Sequence, residues 1–426
     1  MANRTNGQQS TRREFLKTTV AAATIAAPWV VTPGLLAAPN RPGPNDRIGI
    51  GFVGSGHRAR LLMSQIPEEG RIVALCDVWR RRCEEALKEK KADWAIEKDH
   101  RALLDRKDID AVIVPTTDHA RTHLCIRACE AGKDVYAEKP LTLTIREGRA
   151  LVVAARKHGR IFQVGSQQRS MEMNRFACEF VRNGGLGRLQ SVLGCNYTGP
   201  GTCDDAGEEP VPADLDWDAW CGATPLKPYH SRRHLGWMGC RDYSGGEMTN
   251  WGAHGIDQIQ WALGADDAGP VEISPEGQGM NAPVHLRYEN GVIVKLELAQ
   301  GPMGGAIFIG KRGKIEIDRN RFKADPVELV KDPPPAQKAE IWEGPGWQAK
   351  YHIGNWLECI KSRKTPVADV EIGHRSISVC HLANIARRVG RKLSWDPVKE
   401  VCAGDDEANA LLERPRRKGY ELPTIA

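Results

Sequence analysis

Two motifs that would point directly to a function are missing from this sequence. Its twelve cysteines form no Cys-x-x-Cys pair, so their spacing gives no support to a zinc site and no metal is expected. No G-x-x-x-x-G-K-[ST] stretch occurs, which excludes the phosphate-binding loop of nucleoside triphosphatases. Internal repeats and low-complexity tracts are also missing. What is left is a globular chain of 426 residues, long enough for two or three domains.

The sequence also lacks a strong excess of positively or negatively charged residues. The formal net charge is +6, charged residues make up 27% of the chain, and no long basic run lies outside the termini. Nucleic acid is therefore not expected as a partner. The stretch ERPRRKGY (413–420) is basic, but it is short and close to the C-terminus. It predicts a disordered, solvated tail.

The amino terminus has the layout of an export signal. Arg12 and Arg13 precede an apolar stretch over 18–38 that ends in the small residues of a cleavage site. This layout predicts a twin-arginine signal peptide over 1–38 and a Pro/Gly-rich linker over 39–46. The protein is then expected in the periplasm, delivered folded by the twin-arginine export machinery.

A membrane anchor is the alternative reading of the same segment. An uncleaved signal would leave the protein associated with the membrane, but Pro28 and Pro33 interrupt a run that is only weakly apolar, so a spanning helix is not expected.

Cys203, Cys221 and Cys240 lie in a loop-rich region and could pair after export. The sequence does not choose among these three.

Short apolar runs alternate with helical stretches between residues 47 and 168. This alternation predicts an α/β Rossmann domain with a parallel, doubly wound sheet. The predicted strands are 47–54, 71–78, 110–116 and 133–139, and the clearest helices are 80–91 and 119–131.

The first strand–helix turn carries a G-x-G-x-x-A motif. It reads Gly54-Ser55-Gly56-His57-Arg58-Ala59, and its glycines allow a tight turn whose amides approach a pyrophosphate. Asp77, at the end of the second strand, falls at the distance expected of the acid that binds the adenosine ribose. The motif therefore predicts a dinucleotide site. Asp77 favours NAD because a carboxylate repels the 2′-phosphate of NADP, while the arginines at 80–82 leave NADP open.

The last of these strands ends abruptly in Glu138-Lys139-Pro140. Proline stops sheet pairing because it has no N–H to donate. Glu138 and Lys139 then stand at the carboxyl end of a strand, where open α/β sheets bind their ligands. The alternative is a surface ion pair in a solvated loop.

The remainder of the chain predicts an α+β domain over 169–400, followed by a tail over 401–426. The pattern gives helices at 172–183, 349–363 and 373–389, a strand at 188–199, a surface loop at 199–216, and antiparallel strands within 284–299 and 305–318.

A helix predicted over 249–263 carries the second group of chemically useful residues. Asn250, His254, Asp257 and Trp261 fall on one face, and Ile256, Ile259 and Leu263 on an apolar one. A lone histidine on a helix is usually structural. A histidine sharing a polar stripe with an amide and a carboxylate is a candidate for catalysis or substrate binding.

The stretches GFVGSGHRA, CDV, TTDH, AGKDVYAEKPL and GGEMTNWGAHGIDQIQWAL resemble the glucose–fructose oxidoreductase / inositol dehydrogenase family, often written Gfo/Idh/MocA. The resemblance extends from about residue 46 to 400, and the exported layout resembles the secreted branch of that family. It implies a nicotinamide-dependent enzyme that acts on a sugar, polyol or related carbohydrate. It also implies a Rossmann domain followed by an α+β domain with a large open, mostly antiparallel sheet.

The same resemblance assigns individual roles. Lys139 would be the active-site lysine, with Glu138 and Pro140 lining the nicotinamide pocket. The other residues that it places against cofactor or substrate are Thr116, Thr117, His119, Gln167 and Arg169. The sequence departs from the family where Asn250 replaces a common Asp, and at Thr117 and Arg121, where Pro and His are common.

These assignments together predict hydride transfer between NAD(P) and a secondary alcohol of a carbohydrate. Lys139 would hydrogen-bond the reacting oxygen, His254 would take or relay the proton, and Asn250 would hold a neighbouring hydroxyl. Asp257 would orient the imidazole and raise its pKa. The rings of Trp237, Trp251 and Tyr197 are candidates to face the sugar.

Two other functions stay open at this level. One is glycoside cleavage through transient oxidation by a tightly bound NAD, which suits an exported protein because free NAD(P) is scarce outside the cytoplasm. The other is an inactive carbohydrate-binding protein, for which Asn250 is the best support. In either case an open antiparallel sheet must cover its exposed face, so a homodimer or homotetramer is expected.

Overall fold

The computed structural model describes residues 46–319, 321–331 and 349–423. The chain separates into two units, Met1–Arg47 and Ile48–Ala426, and all elements below belong to the second. The predicted signal peptide over 1–38, with Arg12 and Arg13, lies outside the described residues. Among the helices that are described, none is long and apolar enough to cross a membrane.

The amino-terminal half of this unit is built on a parallel sheet. Its strands are β1 (Ile48–Val53), β2 (Gly70–Cys76), β3 (Ala95–Ile96), β4 (Ala111–Val114), β5 (Asp134–Ala137) and β6 (Phe162–Val164). They are arranged in the order β3-β2-β1-β4-β5-β6. Every residue of β1, β4 and β5 is buried, because helices cover both faces of such a sheet. The doubly wound Rossmann prediction is confirmed.

Helices connect these strands. They are α1 (His57–Met63), α2 (Arg80–Lys90), α3 (His100–Asp105), α4 (Asp118–Glu130) and α5 (Ile145–Lys157). The helix α5 begins where the hydroxyl of Thr144 accepts from the amide of Glu147 at 3.3 Å, an N-cap that satisfies a free amide of the first turn. The predicted helices over 80–91 and 119–131 agree with α2 and α4 to within one residue.

The second half is built on a nine-stranded sheet. Its strands are β7 (Leu189–Cys195), β8 (Glu272–Pro275), β9 (Val284–Arg287), β10 (Ile293–Leu298), β11 (Ala306–Gly310), β12 (Gly313–Asp318), β13 (Arg321–Asp325), β14 (Leu393–Asp396) and β15 (Val401–Cys402). The order is β13-β12-β11-β7-β10-β9-β8-β14-β15. The pair β7–β10 is parallel, and the other pairings among the described strands are antiparallel. This confirms the predicted α+β domain.

Three of the described helices pack against this sheet, namely Glu172–Arg182, Gly252–Leu263 and Val370–Val389. The helices of the second half are α6 (Glu172–Arg182), α7 (Trp217–Cys221), α8 (Ser231–His234), α9 (Glu247–Asn250), α10 (Gly252–Leu263), α11 (Ala349–Ser362), α12 (Val370–Val389) and α13 (Asp406–Ala410). Along β10, Val294 and Leu296 are buried while Ile293 and Glu297 are exposed, the alternation of a sheet with one covered face.

The segment between β7 and α9 forms a small core of its own. Trp217 and Trp220 stack at 4.6 Å, and Tyr243 meets Trp220 at 5.0 Å. Cys203 and Cys240 form a disulfide, whereas Cys221 is a free, buried thiol. Of the pairings that the sequence left open, the structure contains the one between Cys203 and Cys240.

The prediction of a disordered tail over 413–420 is wrong. Arg414 donates to the carboxylate of Glu147 at 2.9 Å, and Arg417 donates to that of Asp218 at 2.6 Å. The physical reason is the burial of Glu147, which is 0% exposed. A buried carboxylate needs a cation, and the basic residues of this segment supply it.

Candidate active site

A large cavity opens at the carboxyl ends of the parallel strands, where ligands of open α/β sheets bind. Its volume is about 1700 Å³, and its walls come from both halves of the molecule. The Rossmann half contributes Gly54, Asp77 and Lys139, and the second half contributes Trp237 and Asn250. Lys139 follows β5 and Asp77 follows β2, three strands away, which is roughly 14 Å at the usual strand spacing.

The glycine turn and Asp77 form one end of this cavity. Gly54 has φ +105°, a backbone conformation that favours glycine. Asp77 accepts from the amide of Ser55 at 2.7 Å and from that of Trp79 at 2.8 Å, through different carboxylate oxygens. Burial raises the pKa of Asp77. Each oxygen keeps a lone pair for a further donor, so the carboxylate can accept from ribose hydroxyls.

The loop after β4 and the start of α1 add further residues to the cavity wall. Thr116 and Thr117 line the cavity, as do Gly56, His57 and Arg58. The hydroxyl of Thr116 is buried and has no hydrogen-bond partner within the described part of the chain. Because this oxygen is not accessible from the cavity, the fit of a dinucleotide rests on the Gly54 turn and on the free acceptor sites of the Asp77 carboxylate. These residues fit a dinucleotide.

Glu138 is not part of a surface ion pair. Its buried carboxylate accepts from Arg58 Nε at 2.9 Å and from Gln167 Nε2 at 2.8 Å, and it also accepts from the backbone amide of Lys139. The loop alternative for this stretch is therefore wrong. Glu138 lines the cavity beside Lys139, as predicted, whereas Gln167 is not among the lining residues and acts through its hydrogen bond to Glu138.

Lys139 is held by the start of the helical segment from the second half. Its Nζ donates to Asn250 Oδ1 at 2.7 Å and to the Asn250 carbonyl at 3.1 Å. Burial lowers the pKa of Lys139 to about 8, with Arg58 and Arg319 adding to the shift while Glu138 and Asp118 oppose it. A lysine with this pKa exists in both protonation states near neutral pH, as an acid–base group requires.

Asp118 is a site residue that the sequence reasoning missed. It is the first residue of α4, lines the cavity, accepts from Ser244 Oγ at 3.1 Å and lies 3.5 Å from Arg121. Burial raises its pKa to about 6. It therefore supplies, near Lys139, the carboxylate that Asn250 cannot supply. The available signal was an acid directly after Thr117 at a strand's carboxyl end.

The prediction that Asp257 raises the pKa of His254 is wrong. Asp257 binds Arg169 Nε at 2.9 Å and accepts from Ser376 at 2.8 Å. His254 Nε2 instead lies 3.1 Å from the guanidinium of Arg319. Burial, together with the charges of Lys139, Arg319 and Arg58, lowers the pKa of His254 well below its ordinary value. Because a guanidinium can only donate, the neutral imidazole carries its proton on Nδ1.

Three other predicted contacts are replaced by structural ones. Arg169 is buried in ion pairs with Asp257 and Asp266, so it does not reach the substrate. His119 Nε2 lies 2.7 Å from the carbonyl oxygen of Trp220 instead of facing the cofactor, and burial lowers its pKa to about 3. The hydroxyl of Tyr197 accepts from the amide of Gly304, away from the cavity walls.

Ser55 and Pro140 differ in what they offer a ligand. The side chain of Ser55 is buried, 3.3 Å from Cys83 Sγ, so only its backbone belongs to the glycine turn. Pro140 lines the cavity beside Lys139. Trp237 does so as well, whereas Trp251 stacks on Arg319 at 4.7 Å.

The segment 213–223 covers the adenosine end of the cavity. Leu215 bridges to Trp79, the amide of Asp216 donates to the carbonyl of Val78 at 2.9 Å, and Asp214 lies 3.6 Å from Arg81. These contacts join the second half of the molecule to the loop after β2. A ligand on Asp77 would lie beneath this cover.

Comparison with known proteins gives two matches to family models. Residues 48–166 match the model described as oxidoreductase family, NAD-binding Rossmann fold, of the Gfo/Idh/MocA group. Residues 197–422 match the model described as oxidoreductase family, C-terminal alpha/beta domain, of the same group. The second match alone covers more than half of the chain, and the first contains all six strands of the parallel sheet.

Individual relatives share less than a third of their residues with this chain over the matched regions. Inositol 2-dehydrogenase of Salmonella typhimurium is 29% identical over 151 residues, which is 35% of this chain and 44% of the relative. The chain thus spans less than half the length of that relative. The scyllo-inositol 2-dehydrogenase (NAD(+)) of Bacillus subtilis is 24% identical over 343 residues, 75% of this chain and 86% of the relative.

Solved structures share the fold. The aldose-aldose oxidoreductase from Caulobacter crescentus, complexed with glycerol, has a TM-score of 0.59 at 19% identity and covers 82% of this chain and 99% of its own. The WlbA dehydrogenase from Bordetella pertussis, in complex with NADH and UDP-GlcNAcA, has a TM-score of 0.62 at 17% identity, with coverages of 82% and 98%.

Proposed function

Because this chain belongs to the Gfo/Idh/MocA oxidoreductase family, we propose that it is an NAD(P)-dependent oxidoreductase acting on a secondary alcohol of a sugar, polyol or related carbohydrate. The observation that carries this proposal is the position of Lys139. Its ammonium stands at the end of β5, in the same cavity as the glycine turn and Asp77, and burial lowers its pKa to about 8.

The bound nicotinamide would supply the redox chemistry, and the protein's task is to place the alcohol and manage its proton. Lys139 hydrogen-bonds the reacting oxygen and accepts its proton during oxidation. The amide of Asn250 fixes the lysine through its Oδ1 and is itself oriented by donation to Glu247 at 3.0 Å. Asp118 adds negative charge that supports the protonated lysine.

His254 has a different role from the one first predicted. Its acceptor nitrogen is occupied by Arg319 and its pKa is low, so it is poorly suited to take a proton. It is also buried and is not among the residues that line the cavity, so the role proposed for it is to position Arg319 and not to contact the substrate. Trp237, on the cavity wall, provides an apolar face for a sugar ring.

Between the two cofactors, NAD is the proposed one. Asp77 would meet a 2′-phosphate with a carboxylate at the ribose position. Two nearby cations, Arg80 and Arg82, also line the cavity and keep NADP as the competitor. Arg81 is engaged with Asp214.

A direct experiment tests the proposal as a whole. The purified protein, without its signal segment, is mixed with NAD or NADP and a panel of aldoses, inositols and other polyols, and the absorbance of the reduced nicotinamide is followed. Formation of reduced nicotinamide that depends on one class of carbohydrate supports the proposal. Binding of nucleotide and carbohydrate without any turnover would instead favour the inactive binding protein.

Glycoside cleavage with a retained NAD is the second candidate, and the cover over the adenosine end favours it. The segment 213–223 lines the cavity and is tied to the loop after β2, which would slow release of a nucleotide and suits an enzyme that returns its cofactor to the starting state. Denaturing the purified protein and assaying the supernatant for nucleotide tests this point. One NAD or NADP per chain, with sugar release from a glycoside and no net reduction of cofactor, would support this candidate over the dehydrogenase.

Export and assembly belong to the same proposal. The twin-arginine header and the Cys203–Cys240 disulfide both support a periplasmic location. Replacing Arg12 and Arg13 with lysine keeps the charge, so only a pathway that recognises arginine itself should fail to export the variant.

The outward face of the nine-stranded sheet is the proposed surface for a homodimer or homotetramer. A monomer mass by light scattering would exclude such an assembly.

A further inference from the structure

The C-terminal segment 413–421 is fixed in place by charge. Arg414 reaches three groups, donating to the Glu147 carboxylate at 2.9 Å, to Thr224 Oγ1 at 2.6 Å and to the His119 carbonyl at 2.8 Å. Arg416 donates to the same carboxylate at 2.6 Å. These two guanidiniums outweigh the burial of Glu147 and lower its pKa to about 2, so the anchor stays charged near neutral pH.

The anchor sets the position of the residues that follow it. Arg417 donates to Asp218 at 2.6 Å, and its amide donates to the carbonyl of Ala223 at 3.0 Å, which ties the segment to the cover over the cavity. Gly419 and Tyr420 then become part of the cavity wall. A chain terminus with this many fixed contacts has a position defined by the fold.

Tyr420 lies against the two helices that flank the adenosine end. Its ring centroid is 4.7 Å from that of His123, on α4. The ring of His123 in turn lies 6.2 Å from that of His100, at the start of α3. The rings of His100, His123 and Tyr420 therefore form a row along this part of the wall, and Leu104 and Leu124 line it with apolar surface.

This end of the cavity is where the base of a bound dinucleotide must lie. The ribose position is set by Asp77 at the end of β2, and the nicotinamide end is set by Lys139 at the end of β5, on the other side of β1. The base extends past the ribose, away from Lys139. The cavity that contains Asp77 is also lined by α3, by α4 beyond its first turn and by the C-terminal segment, so these surfaces are available to the base. Flat rings and leucines are the surfaces on which a purine packs well.

We propose that Tyr420 forms the outer wall of the adenine subsite, and that the C-terminal segment thereby holds the dinucleotide in its cleft. The inference rests on the proposed function only for the class of ligand, a nucleotide with an adenine base. The C-terminal segment, which lies outside the Rossmann domain, then contributes to cofactor affinity in addition to the glycine turn and Asp77.

The test compares three ligands on the full folded domain. NAD and ADP-ribose contain adenine, whereas nicotinamide mononucleotide does not. Tyr420→Ala should weaken binding of NAD and of ADP-ribose by the same factor, on the order of tenfold for loss of one base–aromatic contact, and should leave nicotinamide mononucleotide unchanged. Tyr420→Phe keeps the ring and should bind all three like the wild type.

A surface tyrosine provides the matched control. Tyr351 is 54% exposed and lies on α11, so Tyr351→Ala should change none of the three affinities, and a cooperative melting transition in every variant shows that each is folded. Unchanged NAD and ADP-ribose affinity in Tyr420→Ala would overturn the inference, and so would an equal loss for nicotinamide mononucleotide. A wild-type protein that binds none of the ligands would overturn the proposed function itself.

Discussion

Lys139 and Asn250 are joined by a hydrogen bond of 2.7 Å between Nζ and Oδ1. An amide therefore occupies the position at which the family commonly has a carboxylate, and it still holds the lysine. Asp118 lies in the same cavity wall and supplies a negative charge that Asn250 lacks. This charge raises the pKa of Lys139, whereas burial lowers it. Lys139 therefore has a stabilising carboxylate nearby in Asp118 although Asn250 carries no charge.

The first prediction concerns the pH dependence of turnover. The pKa of Lys139 is lowered from 10.5 to about 8, and the neutral amine is the form that accepts a proton. The kcat/KM for alcohol oxidation should therefore rise with pH and level off above an inflection near 8, and that for carbonyl reduction should fall over the same range. An inflection in the acidic range for both directions would assign the proton to another group.

Replacing Asp118 tests the origin of that pKa. Asp118→Asn keeps the shape of the side chain and removes its charge, which is present above its own pKa of about 6. Because this charge raises the pKa of Lys139, the inflection of the oxidation profile should move to lower pH in the variant. Asp205→Asn, at an exposed carboxylate paired with Arg232, is the control and should leave the profile unchanged. Identical profiles for Asp118→Asn and the wild type would remove Asp118 from the site.

Cofactor choice is expected to depend on Asp77. Asp77→Ser removes the carboxylate at the ribose position, so the preference for NAD over NADP, measured as the ratio of their affinities, should narrow or reverse. Binding constants for both nucleotides, measured by titration, give this ratio. Asp93→Ser, at an exposed position, should leave it unchanged. A wild-type preference for NADP would mean that Arg80 and Arg82 outweigh the carboxylate.

Much of the fold could be predicted because it is encoded locally. Apolar runs such as 110–116 and the glycine motif at 54–59 lie within a single strand or turn, so their periodicity and spacing are sufficient. The same holds for Lys139, whose place at a strand end is readable from the proline that follows. Short edge elements such as β3, with two residues, leave too little pattern to detect.

The partners of buried polar groups could not be predicted, because they come from remote parts of the chain. Asp257 pairs with Arg169, 88 residues away, and His119 meets the carbonyl of Trp220, 101 residues away. Local sequence patterns instead predict His119 against the cofactor and Asp257 beside the imidazole of His254. Arg414 finds Glu147 at a separation of 267 residues, which turned an expected solvated tail into part of the fold. Tertiary packing determines such pairs, and a helical stripe does not contain that information.

The most direct test of the account is the Lys139→Met variant on a carbohydrate that the wild type turns over. Methionine keeps the length and apolar stem of lysine, and the glycine turn and Asp77 are untouched, so nucleotide binding should be unchanged. Turnover should fall on the order of a hundredfold or more, as expected for loss of a positioned acid–base group. Lys399→Met, at a side chain that is 77% exposed, should behave like the wild type in both assays. Wild-type turnover in Lys139→Met would contradict the assignment of Lys139 to the reacting oxygen.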